Sequence, residues 1–459
     1  MERVARGART TAARKFIVTV LLFIGGVLFV AIGVVVSIAL HEVGHLVPAK
    51  LFNVRVTRYM IGFGPTIWSR KKGETEYGLK AIPAGGYVAM IGMYPPNPVD
   101  GSVRPSSTGM FQTMATEARS VAHEDVGPED GNRVFYGLPV WKKIIIMLGG
   151  PTMNLLIGIV LTGVLLMGFG SPQATTTLSQ VSACQVAYGA PEPADMAKCT
   201  KTPAAAAGLL PGDTIKTFDG KAVTDWAALT EWIRASAGKS VEMSYQRGDR
   251  TITTAITPVR TARPVLDANG NAKLDASGKA VTVEAGFIGM GPTSALVPES
   301  AAGVLPAVGN SIAQIGGVVF QLPQKLVGVA QAAFSSQPRD PNGPISVVGV
   351  GRVAGEVASM EQVPLGARVG TLVGLMAGVN LALFVFNLIP LLPLDGGHVL
   401  GALYEGARRT LAKVLRKKDP GAFDIAKMLP VTYVAASLLM VMGALLIYAD
   451  IVKPVNLFG

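Results

Sequence analysis

FIVTVLLFIGGVLFVAIGVVVSIALHEVGH, Phe16 to His45, runs from apolar residues into two histidines and a glutamate without a break. The apolar part, Phe16 to Leu40, exceeds the ~20 residues a helix needs to cross about 30 Å of hydrocarbon. Residues four apart on a helix share a face, so His41 and His45 can hold one ion while Glu42 projects beside them. That is the pattern of a zinc hydrolase. The plainer reading is a histidine pair that only packs or pairs with Glu42. It is opposed by the cost of ionisable groups in an apolar span, which are rarely kept there without a use.

Composition agrees with a membrane protein. The 459 residues are 15% charged, and the mean hydropathy is +0.42. The net charge of +11 could suggest nucleic acid, but the basic residues cluster beside apolar runs instead of interleaving with aromatics. A positive-inside signal accounts for them, and no nucleic-acid partner is expected. Three further runs are long enough to span: Ile144 to Phe169, Val369 to Leu392 and Pro430 to Ile451. The first run is too long for a signal peptide and lacks a small-residue cleavage site, so it is expected to stay in the protein. Basic residues between spans one and two (Lys50, Arg55, Arg58, Arg70 to Lys72, Lys142, Lys143) and between spans three and four (Arg408 to Lys418) put both segments on the cytoplasmic side. The segment between spans two and three, and both termini, then face outward. Arg3, Arg6, Arg9, Arg14 and Lys15 oppose this for the N-terminus, and the larger basic count after His45 decides.

From Arg55 to Met93 the residues are β-branched and aromatic, punctuated by Gly62, Gly64, Gly73, Gly85 and Gly86, which predicts hairpins. They form either an ordinary β-loop or an edge that pairs with an extended peptide near the metal. Residues 94–140 lack a period and read as a flexible loop. His123, within it, reads as a solvated histidine. The second span starts at the interfacial Trp141 and contains GGPTMN, Gly149 to Asn154. Its glycines allow a close backbone approach. Asn154 is its one strongly polar side chain, able to bond between helices or to hold substrate.

Residues 171–260 read as a small α/β module, with a strand at Thr214 to Phe218, a helix carrying Trp226, Leu229, Trp232 and Ile233, and a hairpin turning at Arg247 to Asp249. This pattern resembles a PDZ domain, whose groove takes a peptide by strand addition. A spacer without a ligand is the alternative. Cys184 and Cys199, both on the side placed outside, are expected to form a disulfide. Residues 261–368 read as a polar linker, then an apolar stripe from Val308 to Val329 broken by Pro323. We expect a kinked helix lying on the outer membrane face.

The third span ends in NLIPLLPLDGGH, Asn387 to His398. A carboxylate at the same membrane side as His41 and His45 would complete three protein ligands and leave a fourth position open. Asp395 is the candidate, with Pro390, Pro393, Gly396 and Gly397 expected to open the helix so that it turns inward. His398 and Glu405 compete for that role.

Together HEVGH, GGPTMN, the PDZ-like module and LDGGH resemble the site-2 protease family of regulated intramembrane proteolysis, in particular its actinobacterial branch that cuts anti-sigma factors. The resemblance covers almost the whole chain. It implies zinc held by His41, His45 and Asp395, Glu42 as general base and Asn387 as a substrate-binding residue, a role to which Asn154 is added from its own polarity within the second span. It also implies a PDZ module that admits single-span substrates already shortened by an upstream extracytoplasmic protease. Pro390 and Pro393 are three apart where the commoner pattern has two, and the basic tail is longer than in many relatives.

The expected architecture is a polytopic α-helical membrane protein of about four transmembrane helices, with a membrane-associated β-hairpin region and an inserted extracytoplasmic PDZ-like α/β domain. Its parts are a basic tail (1–15), the first span with HEVGH (16–54), the β region (55–93), a cytoplasmic loop (94–140), the second span (141–170), the PDZ-like domain (171–260), a linker with an amphipathic helix (261–368), the third span with LDGGH (369–400), a basic cytoplasmic loop (401–429) and the fourth span with the C-terminus (430–459). The expected location is the cell membrane, with the active site toward the cytoplasm. The alternatives are a catalytically silent PDZ-containing membrane scaffold, or a prenyl-protein type of metalloprotease with a glutamate as third ligand.

Overall fold

The computed structural model describes residues 2–95, 130–186, 199–265, 272, 273, 275, 279–337, 339, 340 and 343–455. His123 and most of the expected 94–140 loop lie outside them. In chain order the elements are α1 (Glu2–Leu51), β1 (Val56–Lys72), β2 (Thr75–Met90), α2 (Val140–Gly163, continued as a π-helix over Val164–Phe169), β3 (Ser171–Val181), α3 (Pro203–Ala206), β4 (Thr214–Phe218), β5 (Lys221–Ala222), α4 (Trp226–Ala235), β6 (Val241–Arg247), β7 (Arg250–Ile256), β8 (Val259–Pro264), β9 (Thr282–Phe287), β10 (Met290–Val297), α5 (Val304–Phe334), α6 (Val347–Ser359), α7 (Leu365–Asn387), α8 (Asp395–Val414) and α9 (Leu429–Val452). They fall into two compact units, Met1–Phe169 with Glu299–Gly459, and Gly170–Pro298.

In the first unit α1 carries the apolar run and HEVGH as one helix and stops where Asn53 takes a left-handed conformation (φ 63), which asparagine tolerates. Small residues set its neighbours. A Cβ at Gly26 would lie 2.3 Å from the carbonyl oxygen of Ala354 on α6, and one at Gly33 2.8 Å from Met376 on α7. Backbones approach this closely in membrane bundles because dispersion, not the exclusion of water, holds the helices together. β1 and β2 are antiparallel, and β2 curls so that residues Glu76 to Leu79 and Gly86 to Met90 flank the start of β1 on opposite sides. Ala49, Val54, Val56, Tyr59, Ile146 and Met147 form the buried cluster that holds this sheet against α1 and α2.

Among the described residues, five helical segments are long and apolar enough to cross a membrane: Arg14–Leu51, Val140–Phe169, Ala301–Phe334, Leu365–Asn387 and Leu429–Val452. Four match the expected spans, and the additional one contains α5. Packing treats it differently from the others. Near its start the Glu299 N–H donates to the carbonyl of Leu166, at the C-terminal end of α2. Near its end Val329 and Ala333 pack with Leu446 and Ala449, late in α9, and Lys453 Nζ donates to the Ser335 carbonyl. The N-terminal ends of α2 and α9 both meet α8, through Lys143–Glu405 and through Ile425 against Gly401. Both ends of α5 are therefore tied to the end of the bundle opposite α8, while Ile312 and Ile315 join the cluster that Leu155 and Ile159 of α2 and Leu381 of α7 also enter. α5 runs through Pro323 as one helix, as the expected single helix across this stretch requires. Losing one N–H does not end a helix whose neighbours hold it.

In the second unit one sheet has the order β10-β3-β4-β6-β7, with β5 beside β4, and β8 pairs with β9. Phe218, Ile215, Leu229, Met243 and Leu178 make its core. This unit extends to Pro298, beyond the expected boundary at 260. The expected linker supplies β9 and β10, and β10 pairs with β3 across more than a hundred residues, which no local pattern announces. The expected basic loop 401–429 is likewise helical through Val414, because α8 begins at Asp395.

Candidate metal centre

α1, α2 and α8 bring the site together. Nε2 of His41 and Nε2 of His45 are 3.2 Å apart. Asp395 reaches the first at 3.3 Å with Oδ2 and the second at 3.4 Å with Oδ1. Four ligands placed tetrahedrally at ~2.0–2.2 Å from zinc lie about 3.3–3.6 Å from one another. The donor triangle thus has the size of one face of a zinc tetrahedron. Nδ1–H of His45 donates to the carbonyl of Ile146 at 2.8 Å, which leaves Nε2 as the free donor atom.

The α1–α2 crossing is built from glycine. A Cβ at Gly44 would be 2.3 Å from the Gly149 carbonyl oxygen, and one at Gly149 2.0 Å from that of Gly44. Gly150 has a different role from the expected backbone approach. A Cβ there would lie 2.2 Å from Nε2 of His45 and 2.7 Å from Nε2 of His41, in the space a shared cation needs.

The helix opens where Pro390 and Pro393 were expected to open it, and the opening is complete. α7 stops at Asn387, the chain turns over Leu388 to Leu394, and Asp395 is the first residue of α8. Gly396 and Gly397 serve that turn, since Cβ atoms there would meet the Leu388 and Ile389 carbonyls and the Leu392 nitrogen at 2.4 to 2.5 Å.

Around the triangle lies a cavity of about 190 Å3 bounded by Glu42, Gly86, Val88, Met147, Pro393 and His398. Glu42 is 8% exposed. A Cβ at Gly86 would touch its Cγ at 2.8 Å, so β2 passes directly against the glutamate. Of the other candidates, Glu405 is no ligand. It is buried in an ion pair with Lys143 at 2.8 Å and also receives the N–H of Phe423 and Arg409. His398 bounds the cavity but stands outside the triangle. Asn154 lies one turn beyond Gly150 on the same helix face, 1% exposed, with both side-chain polar atoms lacking a protein partner. Asn387 closes α7, half-buried, and neither asparagine lines the cavity. Asn380 was missed by the sequence reading. It is fully buried, its Nδ2 donates to the Met376 carbonyl, and its Oδ1 has no partner. A polar residue in the middle of an apolar run was the available signal.

Residues 29–418 match the model of peptidase family M50. The chain belongs to peptidase family M50, the site-2 proteases. Similar M50 proteins include the zinc metalloprotease Rip1 of Mycobacterium tuberculosis, 31% identical over 95% of this chain and 100% of the relative. Rip1 of Mycolicibacterium smegmatis is also 31% identical, over 94% and 98%. The metalloprotease MmpA of Caulobacter vibrioides is 28% identical over 82% and 85%. This M50 protein is a zinc metalloprotease of the membrane, which removes the silent scaffold as a reading.

Proposed function

We propose that this M50 protein hydrolyses peptide bonds within the transmembrane segments of single-span membrane proteins, anti-sigma factors among them, after an extracytoplasmic protease has shortened them. The observation that carries this reading is the adjacency of Glu42, the His41–His45–Asp395 triangle and the Gly86 to Met90 edge of β2 in one cavity. His41, His45 and Asp395 would hold the zinc, which supplies Lewis acidity toward water and a carbonyl. Glu42 takes the proton of the attacking water and passes it to the leaving amide nitrogen. A transmembrane segment must be unwound before hydrolysis. The β2 edge offers main-chain hydrogen-bonding groups to an extended strand, and Gly86, lacking a side chain, lets β2 itself lie against Glu42. Asn387 and Asn154 are assigned to substrate positioning, and Asn154's unpartnered amide supports its share.

The second unit fits the PDZ reading through a cleft of about 180 Å3 between α4 and the β9–β10 segment, lined by Trp226, Ile233, Phe287 and Met290. We assign it to the extracytoplasmic side, where the Cys184–Cys199 disulfide, Cα atoms 5.5 Å apart, is stable.

Glu42→Gln, purified in detergent and given a single-span substrate already trimmed on its outer side, should keep its zinc and lose cleavage by roughly 10²-fold or more. Cleavage at the wild-type rate would remove Glu42 from the reaction.

A further inference from the structure

We propose that α8 and the apolar cavity at its root form a binding site for an anionic phospholipid of the leaflet on the metal-site side. The cavity, about 430 Å3, is lined by Pro390, Leu391, Leu392, Leu400, Tyr404 and Val431 among others, and is almost entirely apolar. It lies between the end of one span, Leu365–Asn387, and the start of another, Leu429–Val452, which is the depth of a membrane interface. Its volume suits a small-molecule ligand.

α8 continues from this cavity as an amphipathic helix. Leu400, Leu403, Tyr404, Leu411 and Val414 recur at helical spacing, and each is at least half exposed. Such a stripe needs an apolar cover, and beside two spans that cover is acyl chain. The charge selects the headgroup. Lys413, Arg416, Lys417 and Lys418 are exposed at the end of the helix, and Asp419 is the one acid between Gly406 and Gly421. Arg409 is engaged by Glu405 and Asp419, whereas Arg408 stacks over Tyr404 at 5.8 Å and donates to the Pro420 carbonyl. An apolar substrate segment would explain the cavity and leave the four cations without a role. A phospholipid with an acidic headgroup uses both.

The cavity wall straddles Asp395, with Pro390 to Leu392 before it and Gly397, Leu400 and Gly401 after it. An acyl chain seated there braces both flanks of the turn that presents Asp395, a consequence that rests on the metal-site reading. Lipid composition would then reach the metal centre directly.

The test uses the full chain in vesicles of phosphatidylcholine mixed with phosphatidylglycerol, extracted in mild detergent, with bound lipids counted by native mass spectrometry and zinc measured on the same sample. Wild type should retain phosphatidylglycerol in preference. Lys413→Gln/Arg416→Gln/Lys417→Gln/Lys418→Gln, which removes four cations from an anionic surface, should lower that preference about tenfold or more. Val431→Phe, which narrows the cavity, should reduce bound lipid, while Val431→Ala keeps it. Lipid retained in the proportions of the vesicle, or equal retention in the quadruple or Val431→Phe variant, overturns the proposal. Wild type that binds lipid as expected and holds no zinc overturns the metal-site reading and leaves the lipid site standing.

Discussion

A methyl group at position 150 would stand 2.2 Å from Nε2 of His45, about as far as a bound zinc would be from that nitrogen. Gly150→Ala should therefore displace the histidine rings and lose its zinc, with the thermal midpoint measured on the same sample to show that the bundle still folds. Full zinc stoichiometry in that variant would refute the placement of the ion between the two histidines. Asp395→Ala and Glu405→Ala separate the third ligand from its rival. Zinc retention under chelator challenge should collapse in the first. In the second the triangle of donors is intact, and residual zinc should exceed that of Asp395→Ala. The histidine pair is legible in sequence because four-residue spacing on a helix is a local property. Asp395 could be nominated from its polarity in an apolar setting. Gly150's role could not be read, because the atoms it makes room for belong to α1.

At the scale of elements, α8 carries the candidate metal ligand Asp395 at its first residue and an anchor, Glu405, three turns later. Lys143 and Glu405 are 5% and 3% exposed. Removing one partner leaves a buried charge uncompensated, a cost of about 3–5 kcal/mol. Glu405→Gln should lower the thermal midpoint strongly, and Lys143→Met/Glu405→Met should recover most of the loss. If the double variant is no more stable than the single, the pair is not the reason for the loss. In the second unit, Asp213 links the turn before β4 to Arg247 at the end of β6 through two contacts of 2.7 Å, and accepts the N–H of Leu210. Burial pushes its carboxyl up, but the Arg247 guanidinium and the Leu210 N–H outweigh this and hold it below the usual range. A depressed folded-state pKa contributes stability at pH values above the unfolded value of ~3.9, lost as pH falls through the folded one. The unit's denaturation midpoint should decline below about pH 4, with a shallower decline in Asp213→Asn. An unchanged slope would show that other carboxylates govern it.

On the scale of the molecule, two compact units should unfold as separate transitions. The Cys184–Cys199 bridge closes 15 residues within the second. A loop of that length contributes about 3 kcal/mol by restricting the unfolded chain. Reduction should lower the transition of Gly170–Pro298 and leave the membrane unit's unchanged, measured by calorimetry in detergent. A parallel fall in both would mean that they unfold together.

By itself the sequence determined the membrane class, four of the apolar helices, the HEVGH histidine pair and the nomination of Asp395, because each depends on local period, local polarity or distance along one helix. Tertiary structure decided that α7 ends before Asp395 and α8 begins on it, that Glu405 pairs with Lys143, that Gly150 faces the histidines, and that β10 closes the sheet of the second unit. Those outcomes depend on which distant surfaces meet, and burial is shared between partners that no window of sequence contains together.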